Sequence, residues 1–227
     1  MKTYAIIPSG GLGKRANFPL PKQYLKFNNK ELIAYTLQVL QSSNLIDEIV
    51  VAAQNTFFEL LEIIKKNFGI SKLNLLVEGG EERQISVFNA LRAINPEDDD
   101  LVLIHDAVRP LITKEIIYDA IQNAKEFGAA VVAIKAKDTL LKGNDFVNEY
   151  LDRSEIFYVQ TPQVFKYHIL KKAFLKAKED NFIGTDESML VHRIGYKIKI
   201  VNGSSLNLKI TTDEDIRLLS MILKSFK

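Results

Sequence analysis

The sequence contains no cysteine among its 227 residues. This absence excludes a disulfide framework, a zinc–thiolate site and a thiol nucleophile together. A strong net charge is also missing, because 30 Lys and Arg residues face 28 Asp and Glu residues and the formal net charge is +2. Such a balance predicts neither a nucleic-acid partner nor an anionic membrane partner. Any positive charge that matters for function must therefore be local.

Long hydrophobic runs are lacking as well. No stretch reaches the roughly 18 apolar residues that a membrane span needs. The start of the chain, "MKTYAIIPSGG", has too few residues before Pro8 for the apolar region of a signal peptide. The hydrophobic fraction of 47% is enough for one large core. We therefore expect a soluble, cytoplasmic protein with a single compact domain.

Short apolar runs alternate with longer amphipathic segments, which is the pattern of an α/β fold. Val, Ile and Leu dominate the runs, as in strands buried on both faces. The Gly143-Asn144 pair separates two strand-like runs and predicts a β-hairpin inserted at about 137–158. The predicted strands are 4–8, 48–53, 73–77, 101–105, 129–134 and 197–201, and the predicted helices are 31–41, 57–67, 83–94, 114–127, 167–178, 187–193 and 213–224, with Thr113, Thr185 and Thr212 as N-caps.

A loop rich in glycine and proline, "IIPSGGLGKRANFPLPKQY", covers residues 6–24. Residues 11–16 nominally fit a dinucleotide-binding fingerprint. That fingerprint needs a helix at the loop and an acidic residue at the end of the second strand. Pro19 and Pro21 argue against the helix, and the second strand ends in "VVAAQN". The dinucleotide interpretation is therefore weak.

A P-loop is excluded at the same place, since Pro8 stands where that motif needs glycine and Arg15 stands where it needs Ser or Thr. What remains is a turn whose backbone amides can approach an anion, followed by Arg15 and Lys22. Two cations beside such amides suit a triphosphate, and we expect the Lys22 side chain to be exposed. From this segment alone, an ordinary surface turn with solvated cations stays open.

Nine motifs that occur in order over nearly the whole chain add a family resemblance. They are "PSGGLGKR", "PKQYL", "EGGEERQISVFNAL", "HDAVRP", "KDTLLK", "LDRS", "QTPQVF", "TDES" and "NLKITTDEDI". Together they resemble the 2-C-methyl-D-erythritol 4-phosphate cytidylyltransferase family, the third enzyme of the non-mevalonate isoprenoid pathway. The resemblance implies a three-layer, Rossmann-like nucleotidyltransferase fold with a mixed, mostly parallel sheet. It also implies one domain over 1–227, a protruding β-arm at 137–158, a homodimer and a divalent metal, usually Mg²⁺.

The implied reaction joins a phosphate monoester to the α-phosphorus of CTP and releases pyrophosphate. The second pKa of a phosphate monoester is about 6, so the nucleophile is already deprotonated near neutral pH and needs no general base. Charge neutralisation and alignment are what remain for the protein. By resemblance, Arg15 and Lys22 would hold the triphosphate, and Lys209 would neutralise the α-phosphate and align the attacking one. Asp106, at a strand end, is the best-placed carboxylate for the metal.

The segment "EGGEERQIS" reads the cytosine base in the family. Gly79 and Gly80 allow close backbone approach, and Ser86 supplies a hydroxyl. The alternative is a plain Gly-Gly turn with Ser86 inside a helix. The predicted CTP-binding residues are Pro8, Ser9, Gly10, Gly11, Gly13, Gly80, Glu81, Ser86 and Ala107, and the predicted substrate-binding residues are Asp106, Arg109, Thr139, Arg153 and Thr161, of which Thr139, Arg153 and Thr161 would reach from the arm into the partner chain's site.

One departure from the family stands before the Asn-x-Lys of the last motif, where an acidic residue is frequent and this chain has Leu206. That change leaves Asp106 as the protein ligand of the metal, with CTP phosphates and water completing the shell. Two alternative functions remain open at this stage. One is ribitol-5-phosphate cytidylyltransferase, and the other is a nucleotide-binding regulatory protein that has lost catalysis.

Overall fold

The computed structural model describes residues 1–11 and 20–225. Short 3-10 helices lie at Lys22–Tyr24 and Asn55–Phe57. The strands are β1 (Thr3–Ser9), β2 (Lys26–Phe27), β3 (Lys30–Glu31), β4 (Glu48–Ala53), β5 (Leu73–Glu78), β6 (Leu101–Ile104), β7 (Ala129–Lys135), β8 (Leu140–Gly143), β9 (Val147–Leu151), β10 (Phe157–Lys166) and β11 (Lys199–Asn202). The α-helices are α1 (Leu32–Gln41), α2 (Phe58–Asn67), α3 (Arg83–Ala93), α4 (Lys114–Phe127), α5 (Tyr167–Glu179), α6 (Glu187–Arg193) and α7 (Asp213–Ser225).

Seven of the described strands form one sheet in the order β11-β7-β10-β6-β1-β4-β5. Strand β10 runs antiparallel to both of its neighbours, β6 and β7. The other neighbouring pairs are parallel, with Ile6 of β1 opposite Val50 of β4 on one side and Ile104 of β6 on the other. The predicted mixed, mostly parallel sheet is therefore confirmed.

Helices cover both faces of this sheet. Successive residues of a strand point to opposite faces, so an apolar strand needs a cover on each face. Ile7 belongs to a buried cluster that includes Leu37 of α1. Its neighbour Ile6 belongs to a second cluster, with Val87 of α3. The chain thus has the three layers that were predicted, and both faces of the central strands are excluded from water.

Two of the three predicted helix caps are confirmed. The Thr113 side chain accepts a hydrogen bond from an amide in the first turn of α4 (3.4 Å). Thr212 likewise accepts from the backbone N–H of Asp215 at 3.2 Å. The prediction for Thr185 is wrong, because Asp186 caps α6. A carboxylate next to the first helical residue satisfies the free amides of that turn better than a hydroxyl one position earlier.

The central strand β10 was not predicted. Its segment contains Pro162, which lacks an N–H group and argues against a central strand. The structure accommodates this residue at an irregularity, where the β7–β10 register shifts between Val159 and Gln163. The ladder resumes beyond it, with Phe165 opposite Ala129.

The predicted hairpin is confirmed as the pair β8 and β9, in which Leu140 lies opposite Leu151. Its predicted range ends too late, because Phe157 and Tyr158 already belong to β10 of the main sheet. None of the helices in the described ranges is long and apolar enough to cross a membrane.

Candidate active site

A cleft opens at the carboxyl ends of β1, β5 and β6. The chain winds from β1 outward to β4 and β5, and then returns to β6 on the other side of β1. Open α/β sheets bind their ligands at such a switch point. The residues that line the cleft are Pro8, Ser9, Gly10, Gly11, Gln23, Gly80, Glu81, Glu82, Arg83, Ser86, Asp106, Ala107, Val108 and Lys209.

One side of the cleft, which we call the glycine wall, consists of residues 8–11 and 79–80. A Cβ atom on Gly79 would lie 3.1 Å from the Cα of Gly10, so the two loops pack backbone against backbone. The Ser86 hydroxyl oxygen accepts a hydrogen bond from the Gly80 N–H at 3.0 Å and ties the second loop to α3. This wall presents peptide groups to the cleft with few side chains in front of them.

Two amide side chains hold the first loop of the glycine wall. Gln23 Nε2 donates to the backbone oxygen of Ser9 at 2.8 Å and to that of Gly11 at 3.2 Å. Gln54 Nε2 donates to the Gly10 oxygen at 3.3 Å. These hydrogen bonds restrain the backbone of the first loop next to the cleft.

The other side of the cleft contains a charge cluster, formed by Arg83, Asp106, Arg109, Glu187 and Lys209. Asp106 follows β6, and both of its carboxylate oxygens are engaged. Its Oδ1 accepts from Arg83 Nε at 3.1 Å, and its Oδ2 lies 3.0 Å from Lys209 Nζ and 3.4 Å from Arg109 Nε. Arg83 also contacts Glu187, whose oxygens lie 2.7 and 2.8 Å from Arg83 Nη1.

The charges of this cluster control its protonation. Burial alone would raise the pKa of Asp106, but Arg83, Lys209 and Arg109 outweigh it and hold that pKa well below its usual range. Burial opposes the charge of Arg83 too, yet Glu187 and Asp106 raise its pKa. Three cations therefore face two carboxylates, and the cluster keeps a surplus of positive charge that suits a phosphate ligand.

Lys209 lies on a segment that is fastened at both ends. Before it, the buried Asn207 donates from Nδ2 to the backbone oxygen of Thr161 at 2.8 Å. After it, Ile210 N–H donates to Val108 oxygen at 2.9 Å. The Lys209 side chain itself is 43% exposed, so its backbone is fixed while its ammonium group can still turn toward a ligand.

His105 lies below the charge cluster and is fully buried. Burial lowers its pKa to about 4, so the ring is neutral near pH 7. Its Nε2 lies 3.2 Å from the backbone oxygen of Arg109 and its Nδ1 lies 3.0 Å from Thr161 Oγ1. The carbonyl can only accept, so Nε2 carries the proton, and Nδ1 accepts from Thr161. Thr161 Oγ1 in turn accepts from Asp106 N–H at 3.1 Å.

Comparisons with known proteins identify the family of this chain. The model of the family "IspD: 2-C-methyl-D-erythritol 4-phosphate cytidylyltransferase" matches residues 3–225. A curated relative of that name from Syntrophus aciditrophicus is 39% identical over 226 residues, covering 98% of this chain and 96% of the relative. The chain belongs to this family. It is therefore a cytidylyltransferase, an enzyme of the nucleotidyltransferase class.

Solved structures of IspD enzymes share the whole fold. That of 4-diphosphocytidyl-2C-methyl-D-erythritol synthase from Anaerococcus prevotii has a TM-score of 0.86 and 28% identity, over 98% of each chain. That of the Francisella tularensis cytidylyltransferase has a TM-score of 0.81 and 32% identity, over 97% of this chain and 99% of the other. The nucleotidyltransferase fold is thus confirmed independently of the sequence motifs.

The structure brings most of the predicted CTP-binding residues to one place. Gly13 and the catalytic candidate Arg15 lie outside the described residues. The predicted residues that line the cleft are Pro8, Ser9, Gly10, Gly11, Gly80, Glu81, Ser86, Asp106, Ala107 and Lys209. Ser86 lies inside α3 and also lines the cleft. The geometry therefore agrees both with a Gly-Gly turn before a helix and with a base-binding segment.

Five other predicted residues are not among those that line the cleft, and one of them, Arg109, is buried beside Asp106. Lys22 is buried, contrary to our expectation, and its ammonium group donates to the backbone oxygen of Thr211. Thr161 is buried, with its hydroxyl bound as described above. Thr139 and Arg153 are exposed near the hairpin, where Arg153 Nη1 donates to Lys137 oxygen at 2.8 Å.

Sequence reasoning missed Arg83, Glu187, Gln23 and Asn207. Arg83 and Glu187 stand inside the quoted motifs "EGGEERQISVFNAL" and "TDES", but the first motif was interpreted through its base contacts and the second through helix capping. The structure shows that Glu187, the first residue of α6, is buried, and a buried carboxylate requires a partner, but the sequence does not show this burial. Nothing in one sequence identifies that partner as a residue 104 positions away.

Asp106 is the candidate side chain for binding a divalent metal in the cleft. No group of three or more His, Asp or Glu side chains capable of binding a metal occurs in the described part of the chain. Asp106 is ionised and faces the cleft, although Arg83, Arg109 and Lys209 already contact it. Mg²⁺ commonly binds one or two carboxylates together with substrate phosphates and water. A single ionised carboxylate at the cleft therefore fits a metal that arrives with a nucleotide and takes most of its ligands from phosphates and water.

Proposed function

We propose that this chain transfers a cytidylyl group from CTP to 2-C-methyl-D-erythritol 4-phosphate and releases pyrophosphate. The observation that carries the proposal is a single cleft with the glycine wall on one side and the charge cluster on the other. The first suits a nucleotide and the second suits phosphate groups. The names of the curated relatives support this choice of acceptor over ribitol 5-phosphate.

In this proposal the glycine wall binds CTP. The peptide groups of Gly80 and Glu81 read the cytosine edge, and Ser86 holds their loop in place through its bond to Gly80. The amides of Gly10 and Gly11 approach the triphosphate, because no side chain at these positions keeps the phosphates away. Arg15 and Lys22 neutralise the triphosphate and the leaving pyrophosphate. For Lys22 this requires its ammonium group to leave the Thr211 carbonyl.

The charge cluster receives the acceptor phosphate and the α-phosphate. Lys209, whose side chain is 43% exposed, keeps its contact with Asp106 and points its other N–H groups toward the phosphate oxygens, which aligns the attacking group. Arg109 is nearly buried and stays beside Asp106, where Asn207 oxygen fixes its Nη1 at 2.7 Å. The acceptor needs no general base, because its phosphate is already ionised near neutral pH. Placing it in line with the α-phosphorus is then the main contribution of the protein.

A divalent cation, most simply Mg²⁺, belongs to this proposal. Asp106 is the residue that would hold it, together with CTP phosphates and water. Bound there, the metal would withdraw charge from the phosphates and favour departure of pyrophosphate. We also propose a cytoplasmic location, which agrees with the absence of cysteine.

We further propose that two copies of the chain form the working enzyme, with the β8–β9 hairpin as an arm that crosses to the partner. The hairpin exposes large apolar side chains, with Phe146 83% and Tyr150 68% exposed, and Leu141 and Val147 about half exposed. Such a patch in one short hairpin suits burial against a second copy. Arg153 and Thr139 lie near this hairpin and away from the cleft of their own chain. In the dimer they would complete the acceptor site of the partner.

Pyrophosphate release tests the reaction. The purified chain is incubated with CTP and either 2-C-methyl-D-erythritol 4-phosphate or ribitol 5-phosphate, with and without Mg²⁺. We expect release with the methylerythritol substrate and a strong dependence on Mg²⁺. Faster release with ribitol 5-phosphate would reverse the choice of acceptor, and no release with either would refute the transferase assignment.

Subunit mixing tests the shared site. Arg153→Ala and Lys209→Ala homodimers should each be nearly inactive. In a mixed dimer, one site combines the intact Lys209 of one chain with the intact Arg153 of the other, and the second site lacks both. Co-expression makes about half of the dimers mixed, and one of the two sites in each mixed dimer is intact, so about a quarter of the wild-type activity should return. Confirmed heterodimers with no recovered activity would show that Arg153 acts within its own chain.

A further inference from the structure

We propose that Arg83, clamped by Glu187, is a positioning residue for the transfer reaction: it fixes the carboxylate of Asp106, and Asp106 in turn orients Lys209 and Arg109. This inference rests on the proposed function, because the groups that it orients are those assigned to the phosphates. Neither Arg83 nor Glu187 was predicted from the sequence as a site residue, although both stand inside the quoted motifs.

The contacts of Arg83 form a bridge between two helices and a strand end. Arg83 is the first residue of α3 and Glu187 is the first residue of α6. Arg83 Nη1 lies 2.7 Å from one oxygen of Glu187 and 2.8 Å from the other, while its Nε donates to Asp106 Oδ1 at 3.1 Å. Two different nitrogens of one rigid plane therefore fix two carboxylates relative to each other.

Glu187 is held firmly enough to act as the clamp. Its side chain is 1% exposed, and it has no room to leave Arg83 for solvent. The start of α6 is fastened to the central sheet, since Ser188 N–H donates to Gln163 Oε1 of β10 at 2.9 Å. The adjacent Asp186 caps the helix through Met189 N–H at 2.8 Å. The position of Glu187 is thus set by the fold before any ligand binds.

The two carboxylate oxygens of Asp106 have different partners. Arg83 contacts Oδ1, whereas Lys209 and Arg109 contact Oδ2. Without a donor on Oδ1, the carboxylate could turn about its terminal bond and draw Lys209 or Arg109 to the other oxygen. A displacement of about 1 Å in a group that aligns a reacting phosphate can lower the rate about a hundredfold. Arg83 prevents that turn.

Stability alone does not account for this arrangement. Taking a buried ion pair out of water costs several kcal/mol, and such pairs can often be replaced by apolar residues without loss of stability. Arg83 also leaves Nη2 buried without a hydrogen-bond partner among the described residues. The unsatisfied Nη2 group costs stability. We therefore explain the position of Arg83 by the orientation that it gives to Asp106 and not by a gain in stability.

The test is the Arg83→Lys variant, which keeps the charge but loses the planar fork that contacts both carboxylates. We expect kcat to fall by about tenfold to a hundredfold while the KM for CTP stays within about threefold. Arg193→Lys is the matched control, since Arg193 lies at the other end of α6 and pairs with Asp180 at its surface. That control should keep kcat within about twofold.

A double-mutant cycle separates positioning from a structural role. In the Lys209→Ala background, Arg83→Lys should cost less in kcat than it does in the parent chain, because one of the two groups that it positions is already absent. Full multiplication of the two losses would overturn the inference, and so would a single Arg83→Lys variant with parental kcat. An inactive parent chain would instead overturn the proposed function itself.

Glu187→Gln keeps the question answerable if Arg83→Lys fails to fold. Glutamine keeps the shape and one acceptor oxygen but releases one of the two contacts to Arg83 Nη1. We expect kcat to fall at least about threefold with the KM for CTP nearly unchanged, while the melting temperature falls because Arg83 loses one of its counter-charges. A parental kcat in this folded variant would overturn the clamp.

Discussion

The glycine wall and the charge cluster face each other across one cleft, and they are built in opposite ways. The wall comes from two short stretches of sequence and gets its shape from side chains that are missing, as where Gly10 and Gly79 meet. The cluster assembles five charged side chains from four separate segments of the chain, and Asp106 contacts three of the others. Recognition of the nucleotide therefore depends on local backbone shape, whereas handling of the phosphates depends on tertiary placement of charge.

The largest effect should come from the charge cluster. We expect Lys209→Ala to lower kcat by about a hundredfold to a thousandfold, the usual cost of removing one donor to a developing negative charge. Its melting temperature should change little, because the side chain is 43% exposed. Lys2→Ala serves as control, since Lys2 pairs with Glu48 at the opposite end of β1 and is 59% exposed. A Lys209→Ala enzyme with more than a tenth of the parental kcat would contradict the assignment.

The glycine wall should show its importance in the choice of nucleotide. UTP reverses the donor and the acceptor at the 4-position of the base, which leaves a group of the site unpaired. The cost is about 1–3 kcal/mol, or about fivefold to 150-fold in kcat/KM. Steady-state kinetics with CTP and UTP under the same Mg²⁺ concentration measure this ratio. Equal values would remove residues 79–86 from base recognition.

The two regions also differ in how far the sequence predicts them. The wall could be predicted because Gly79, Gly80 and Ser86 are close in the chain, and a glycine pair before a helix has a clear local meaning. Asp106 and Lys209 could be named by family resemblance, but Glu187 could not, since its partner Arg83 becomes its neighbour only when α3 and α6 pack on the sheet.

The fold divides in the same way. Parallel strands such as β1 and β4 are continuous apolar runs, and the predicted ranges nearly match the observed ones. Strand β10 escaped prediction because Pro162 and its polar neighbours interrupt the run. Its place between β6 and β7 depends on partners that lie outside its own sequence.

A smaller effect is expected from adding one methyl group to the glycine wall. In Gly79→Ala the new Cβ would lie 3.1 Å from Gly10 Cα and 3.2 Å from Ser86 Oγ, so the two loops must separate slightly. We expect kcat/KM for CTP to fall about fivefold, equivalent to about 1 kcal/mol of overpacking. An unchanged kcat/KM for CTP in a folded Gly79→Ala variant would contradict the importance of this close backbone contact.

The last effect concerns stability instead of catalysis and involves the side of the cleft that carries charge. Burial lowers the pKa of His105 to about 4 from an ordinary value of 6.5. The unfolded chain therefore binds a proton at this residue between those two values, and the folded chain does not. Stability that is present at pH 7 is lost as the pH falls through this window. For this one group we expect a loss of about 2 kcal/mol in the free energy of unfolding between pH 7 and pH 5.

Urea unfolding at both pH values, in metal-free buffer, measures the total change. The His105→Gln variant should lose about 2 kcal/mol less than the parent over this interval, since glutamine does not titrate and other groups contribute to both proteins alike. Identical pH dependence in the two proteins would mean that His105 is charged in the fold, against the neutral, doubly hydrogen-bonded ring described above.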